Sequence, residues 1–183
     1  MKVGLFHAWL LALSDPHGRR KVPSEPLAAS RWAALWERAD YHGVLPATVA
    51  NARRVLTTHG TGGFAAMEAS LADTRDRLIA RAAMSMAIRS QIRGIAAALK
   101  AASVPVAVLK GADFADSLYP NPSLRPFTDL DLLVPSQAVA DAESVMSRIG
   151  YEPREASMKY DGGYGERSWV RPGHGAGTVE LHW

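Results

Sequence analysis

Arg125-Pro126-Phe127-Thr128-Asp129-Leu130-Asp131-Leu132-Leu133-Val134 sets two carboxylates, two residues apart, at the head of an apolar, β-prone run. Side chains alternate along a strand with period 2, so Asp129 and Asp131 share one face. Carboxylates so placed repel unless something cationic lies between them, and a hard divalent ion is the usual answer. Taken alone, the pattern also fits a solvated strand edge or a turn before a strand. Its neighbours move the reading.

Upstream, Val104 to Leu109 reads as a buried strand that runs into Lys110-Gly111 and then a helix over Ala112 to Leu118. Strand, glycine and helix together bring backbone N–H groups and a helix N-terminus close to a phosphate. Downstream, Thr178 to Trp183 reads as another strand, with Glu180 alone among apolar neighbours as a third carboxylate. His182 alternates onto the face of Glu180. It fits contact with a metal, a hydrogen bond to a ligating carboxylate, or the ordinary part of a packed histidine. Lys110 fits cationic help at a phosphate or a solvated strand end, and Arg125 fits a bidentate phosphate contact or a structural pair with Asp129. Asp113 and Asp116 read as surface residues.

In order along the chain stand Leu109-Lys110-Gly111, Leu118-Tyr119-Pro120, Leu124-Arg125-Pro126, Asp129 to Val134, Gly150-Tyr151 and Val179-Glu180-Leu181-His182-Trp183. This succession resembles the bacterial family of uncharacterised nucleotidyltransferases within the DNA polymerase β-like superfamily. Tyr41 to Pro46 is similar to that family's helical lead-in, so the resemblance runs from about Trp32 to Trp183. It implies an α+β (mixed α/β) fold: a nucleotidyltransferase-type mixed sheet with flanking helices, preceded by an N-terminal helical region. It also implies transfer of a nucleoside monophosphate from a nucleoside triphosphate, by in-line attack assisted by two Mg²⁺ (or Mn²⁺) ions. Asp129 and Asp131 would hold both ions and Glu180 the ion on the nucleophile's side. Lys110, Gly111 and Arg125 would bind the nucleotide.

Two departures stand out against that pattern. Lys110-Gly111 replaces the Gly-Gly or Gly-Ser of many superfamily members, and Ala112 takes the place of a phosphate-contacting Ser. The chain also stops at Trp183 inside a strand, where the family continues with further helices. The expected organisation is thus a helical region over 1–102 with a long connecting helix, then a nucleotidyltransferase core over 103–183, truncated at its C-terminus. The acceptor would be a small molecule, a peptide or a protein. A catalytically inactive nucleotide-binding or interaction module is the competing reading, with a homo-oligomer or a missing C-terminal segment as partner.

With 183 residues, 48% apolar and 21% charged, the chain suits one or two small globular domains. No run reaches the roughly 18 apolar residues of a membrane span, and Val3 to Leu13 reads as an amphipathic first helix. The expected location is therefore cytoplasmic. No cysteine is present, which excludes disulfides and thiolate zinc sites. Residues 1–100 hold 14 Lys and Arg against 7 Asp and Glu, while residues 101–183 hold 7 against 11. The acidic half suits a metal site. The basic half disfavours a nucleic-acid channel, because no aromatic residues interleave with Arg75, Arg77, Arg81, Arg89 and Arg93.

Periodicity assigns the remaining elements. Ser30 is placed to cap a helix bearing Trp32, Leu35 and Trp36 on one face. Val44 to Leu56 reads as a helix, and Phe64 to Ala102, free of proline, as one long helix packed on the sheet. Gln137 to Ile149 reads as a helix ended by an αL Gly150. The glycine clusters at 161–163 and 172–177 read as turns bracketing an antiparallel hairpin of Tyr164 to Val170 with Thr178 to Trp183.

Overall fold

The computed structural model describes residues 4–60, 62–154, 158–159, 164–173 and 177–183. The glycine cluster at 161–163 and part of that at 172–177 lie outside them. The chain divides into two compact units, 1–82 with 118–126, and 83–117 with 127–183.

The first unit is helical. Helices α1 (Leu5–Leu13), α2 (Trp32–Tyr41), α3 (Leu45–His59) and α4 (Ala65–Ser70) bury Trp9, Leu13, Trp32, Leu35, Trp36, Leu45 and Met67 in one apolar cluster. Two indole N–H groups inside it find oxygen partners: Trp9 donates to the Glu25 carbonyl at 3.0 Å and Trp36 to Ser70 Oγ at 2.9 Å. Asn51 donates from Nδ2 to the carbonyls of Leu13 and Asp15, closing the C-terminal end of α1. Ser30 makes no capping bond. It falls instead in a short 3₁₀ turn, Ala29–Arg31, that leads into α2.

The long helix expected over Phe64 to Ala102 is broken. After α4 the chain passes through a 3₁₀ segment, Leu71–Thr74, before α5 (Arg75–Ala101) begins. Ser70 Oγ donates back to the Met67 carbonyl and Thr74 Oγ1 to the Leu71 carbonyl. Such local bonds compete with the helical ladder. The indole of Trp36, bonded to Ser70, holds the break in place.

The second unit is α+β. A six-stranded mixed sheet runs in the order β1-β2-β6-β5-β3, with β4 paired to β5. The strands are β1 (Ala107–Leu109), β2 (Asp129–Leu133), β3 (Glu152–Pro153), β4 (Met158–Lys159), β5 (Gly165–Val170) and β6 (Thr178–His182). Pairing of β2 with β6 is parallel, and β6 with β5 forms the expected antiparallel hairpin. The strand at Val104 to Leu109 is shorter and less buried than expected, because β1 lies at the sheet edge and only Val104 is fully covered. Helices α6 (Gly111–Leu118) and α7 (Val139–Arg148) complete the unit, and Gly150 beyond α7 has φ +86°, the left-handed stop the sequence called for.

One sheet face forms the core. Leu130, Leu132, Trp169, Val179 and Leu181 pack with Ile88, Ile95 and Leu99 of α5 and Val145 and Met146 of α7. Gly177, just before β6, is there because nothing larger fits. A Cβ at that position would collide with the Thr128 carbonyl next to β2. Among the described residues no helix is long and apolar enough to cross a membrane.

Candidate active site

Strand pairing, rather than sequence proximity, assembles the polar face. In the parallel β2–β6 register Asp131 lies opposite Glu180 and Asp129 opposite Thr178. In the antiparallel β5–β6 register Glu166 lies opposite His182 and Ser168 opposite Glu180. Directly opposed residues point to the same side of a sheet. Asp129, Asp131, Glu180, His182 and Glu166 therefore share the face turned away from the leucine core.

Asp131 is the centre of this face and is only 4% exposed. Its Oδ1 accepts a hydrogen bond from Lys110 Nζ at 3.1 Å and lies 3.2 Å from His182 Nε2. His182 Nε2 is also 3.8 Å from Glu180 Oε2, and its Nδ1 is 3.6 Å from Glu166 Oε2. One donor atom each from Asp131, Glu180 and His182 fall within 4.8 Å of one another. Asp129 is exposed and stands on the same face but outside that group.

The electrostatics follow from this crowding. Burial pushes the Glu180 carboxyl above its ordinary value, and the charges of Asp131 and Asp129 push it the same way. The hydrogen bond to Asp131 holds the Lys110 ammonium above its ordinary value, aided by the charges of Asp131, Glu180 and Asp129. Lys110 thus already supplies a cation to the acids. Its backbone sits at φ +46°, in the left-handed region, at the turn from β1 into α6.

Gly111 opens α6 and is buried, with the backbone carbonyl of Asp129 3.7 Å from where its Cβ would be. The strand–glycine–helix corner therefore abuts the Asp-x-Asp strand. Arg125 belongs to the helical unit, where its guanidinium lies 5.8 Å over the Tyr119 ring. On α6, Asp116 is exposed and forms a bidentate pair with Arg89 of α5 at 2.8 and 2.9 Å, while Asp113 is exposed.

The model of the uncharacterised nucleotidyltransferase family matches residues 28–183. The chain belongs to that family. No curated protein and no solved structure matches it. A nucleotidyltransferase acts on a nucleoside triphosphate with divalent metal, and the donors here fit such an ion. Two carboxylates and an imidazole converge on one point, and the buried Asp131 meets only cationic or nitrogen partners at Oδ1.

Glu166 was missed in the sequence. It sits in β5 without a motif of its own, and only the hairpin register brings it opposite His182. The alternation Glu166, Ser168, Val170 against Glu180 and His182 was the available signal.

Proposed function

We propose that this nucleotidyltransferase transfers the nucleoside monophosphate of an NTP to a hydroxyl of a small-molecule, peptide or protein acceptor. The observation that carries the reading is the β2–β6 register, which sets Asp131 opposite Glu180 on the polar face with Asp129 one step along it. Asp129, Asp131 and Glu180 would hold Mg²⁺ or Mn²⁺. Bound there, divalent ions neutralise charge on the phosphoryl oxygens and lower the pKa of the attacking hydroxyl. Glu180, opposite Asp131 in that register, would also be placed to orient the acceptor hydroxyl. The backbone N–H groups at Gly111, where α6 begins, suit the triphosphate, with the ammonium of Lys110 beside them.

A second reading has one observation in its favour. Lys110 is paired with Asp131, and Ala112 offers no hydroxyl, so the chain could bind a nucleotide without turning it over. Thermal melts with Mn²⁺-ATP and Mn²⁺-GTP, run beside assays of label transfer from each α-labelled NTP into a metabolite extract, separate the two. At about 100 times its dissociation constant a ligand adds roughly 2.7 kcal/mol of stability, a shift of several degrees for a protein of this size. The wild type should show that shift and transfer label, and Asp131→Asn should lose both. A shift without transfer supports the binding module. An equal shift in both proteins removes Asp131 from the site.

A further inference from the structure

His182 has no task in the reaction just described, yet its ring is buried among the acids of the polar face. The side chain is 9% exposed, and its two nitrogens lie within 4 Å of three carboxylates, those of Asp131, Glu180 and Glu166. A histidine that merely fills a core is satisfied by one carbonyl or hydroxyl partner. Three carboxylates around one ring carry more negative charge than the single Lys110 ammonium at Asp131 offsets, which leaves room for a divalent ion among them.

The geometry points to His182 as a ligand of the divalent ion through Nε2, alongside Asp131 and Glu180, with Glu166 as the carboxylate that holds the ring through Nδ1. Two adjacent ligands each about 2.1 Å from an ion lie about 3.0 Å apart in an octahedron and about 3.4 Å apart in a tetrahedron. The Nε2-to-Oδ1 separation of 3.2 Å falls between those values, and the 3.8 Å to Glu180 Oε2 needs only a small side-chain rotation to match them. A metal-bound imidazole characteristically gives its other N–H to a carboxylate, which fixes the tautomer and the ring plane. Glu166 Oε2 lies 3.6 Å from Nδ1, within a small side-chain movement of such a bond, and the backbone pairing of β5 with β6 sets the two residues opposite each other.

The consequence is a mixed oxygen and nitrogen donor set. Such a set suits a divalent first-row transition ion, whereas Mg²⁺ takes oxygen donors and water. His182 is then the residue that sets which ion the protein prefers, and Glu166 positions it. This assignment rests on the nucleotidyltransferase reading only for the expectation that an ion binds on this face.

The test is ion binding by the full chain without nucleotide. Co²⁺ is titrated with its visible absorption as the readout, and Mg²⁺ by calorimetry, for the wild type, His182→Gln, Glu166→Gln and Asp131→Asn. Nearly any site of this kind binds Co²⁺ more tightly than Mg²⁺, so the informative quantity is how the ratio changes with the variant. His182→Gln should weaken Co²⁺ at least tenfold, alter its absorption bands and leave Mg²⁺ within about threefold. Glu166→Gln should weaken Co²⁺ by about tenfold, the usual cost of losing an outer carboxylate. Asp131→Asn should weaken both ions.

An unchanged Co²⁺-to-Mg²⁺ ratio and spectrum in His182→Gln overturns the assignment, as does a wild type that binds no Co²⁺. Should His182→Gln fail to fold, Glu166→Gln carries the same decision from the hairpin's other strand. Label transfer by the wild type together with an unchanged Co²⁺-to-Mg²⁺ ratio in His182→Gln would sink this proposal and leave the nucleotidyltransfer reading standing. Co²⁺ bound through His182 with no transfer of any NTP would do the reverse.

Discussion

The two faces of the sheet are made from the same strands and could hardly differ more. On one side Leu130, Leu132, Val179 and Leu181 are at most 2% exposed and interlock with α5 and α7. On the other, one residue along each time, stand Asp129, Asp131, Glu180 and His182. The first face is apolar area removed from water, worth about 25 cal/mol for each Å². The second gathers like charges that the one ammonium of Lys110 offsets only in part. Stability and chemistry thus alternate residue by residue, so neighbouring substitutions should fail in different ways.

The sharpest test of that alternation is Leu181→Ala. Removing a fully buried leucine should cost about 3 kcal/mol, within the usual 2–5 for such cavities, while the divalent-ion-dependent thermal shift persists. Chemical denaturation with and without Mn²⁺-NTP measures both quantities. A loss under about 1 kcal/mol would break the contrast between the faces.

Next in size is Gly177→Ala. The new Cβ meets the Thr128 carbonyl, a backbone atom that cannot rotate aside, and overpacking of that kind costs about 1–3 kcal/mol. Gly111→Ala is the control, because its Cβ finds contacts at 3.6–3.7 Å and should leave the melting temperature nearly unchanged. Equal destabilisation by both would mean that Gly177 is not what spaces β2 from β6.

Glu180→Gln should act in the opposite direction from Leu181→Ala, and its size should depend on pH. Folding raises this carboxyl above the ordinary 4.5, so the stability it contributes is fully present below pH 4.5 and is lost as pH rises through its folded value. Glutamine is free of that loss. In the absence of divalent ions the variant should therefore gain on the wild type between pH 4 and pH 7 in thermal melts, while losing label transfer. A gap that does not widen with pH would show that the acids are not crowded.

The smallest effect belongs to Asp116→Asn. Its pair with Arg89 is bidentate but solvent-exposed, so it should contribute about 0.5 kcal/mol or less. Ion and nucleotide binding should be untouched, as denaturation and calorimetry would show. A large effect would mean that the corner between α5 and α6 supports the polar face.

Much of this arrangement was legible before any coordinates. Asp129-Leu130-Asp131 and Val179 to His182 carry period-2 alternation strongly enough to yield both strands, and Gly150 marked the end of α7. The buried α5 positions Ile88, Ile95 and Leu99 stand seven and four residues apart, a spacing that by itself sets them on one helical face. What escaped depends on partners distant in sequence. The break at Leu71–Thr74 arises from Ser and Thr hydroxyls and from an indole 34 residues away, with no proline or glycine to announce it. The part played by Glu166 exists only in the β5–β6 register, and the Lys110–Asp131 pair only once β1 lies against β2. The two-residue strands β3 and β4 are too short to show a period.

The parallel pairing of β2 with β6 has a kinetic side. Asp131 and His182 are 51 residues apart in the chain, so the acids of the polar face are strangers until a long loop closes. In the unfolded ensemble Asp131 and Glu180 are too far apart, and too well screened, to repel. Their repulsion is felt only when the strands come together, and it adds to a closure that non-local pairing already makes slow. Higher ionic strength should consequently ease this pairing. An ion that bridged the acids would lower the same barrier, so divalent ions should speed refolding as well as raise stability.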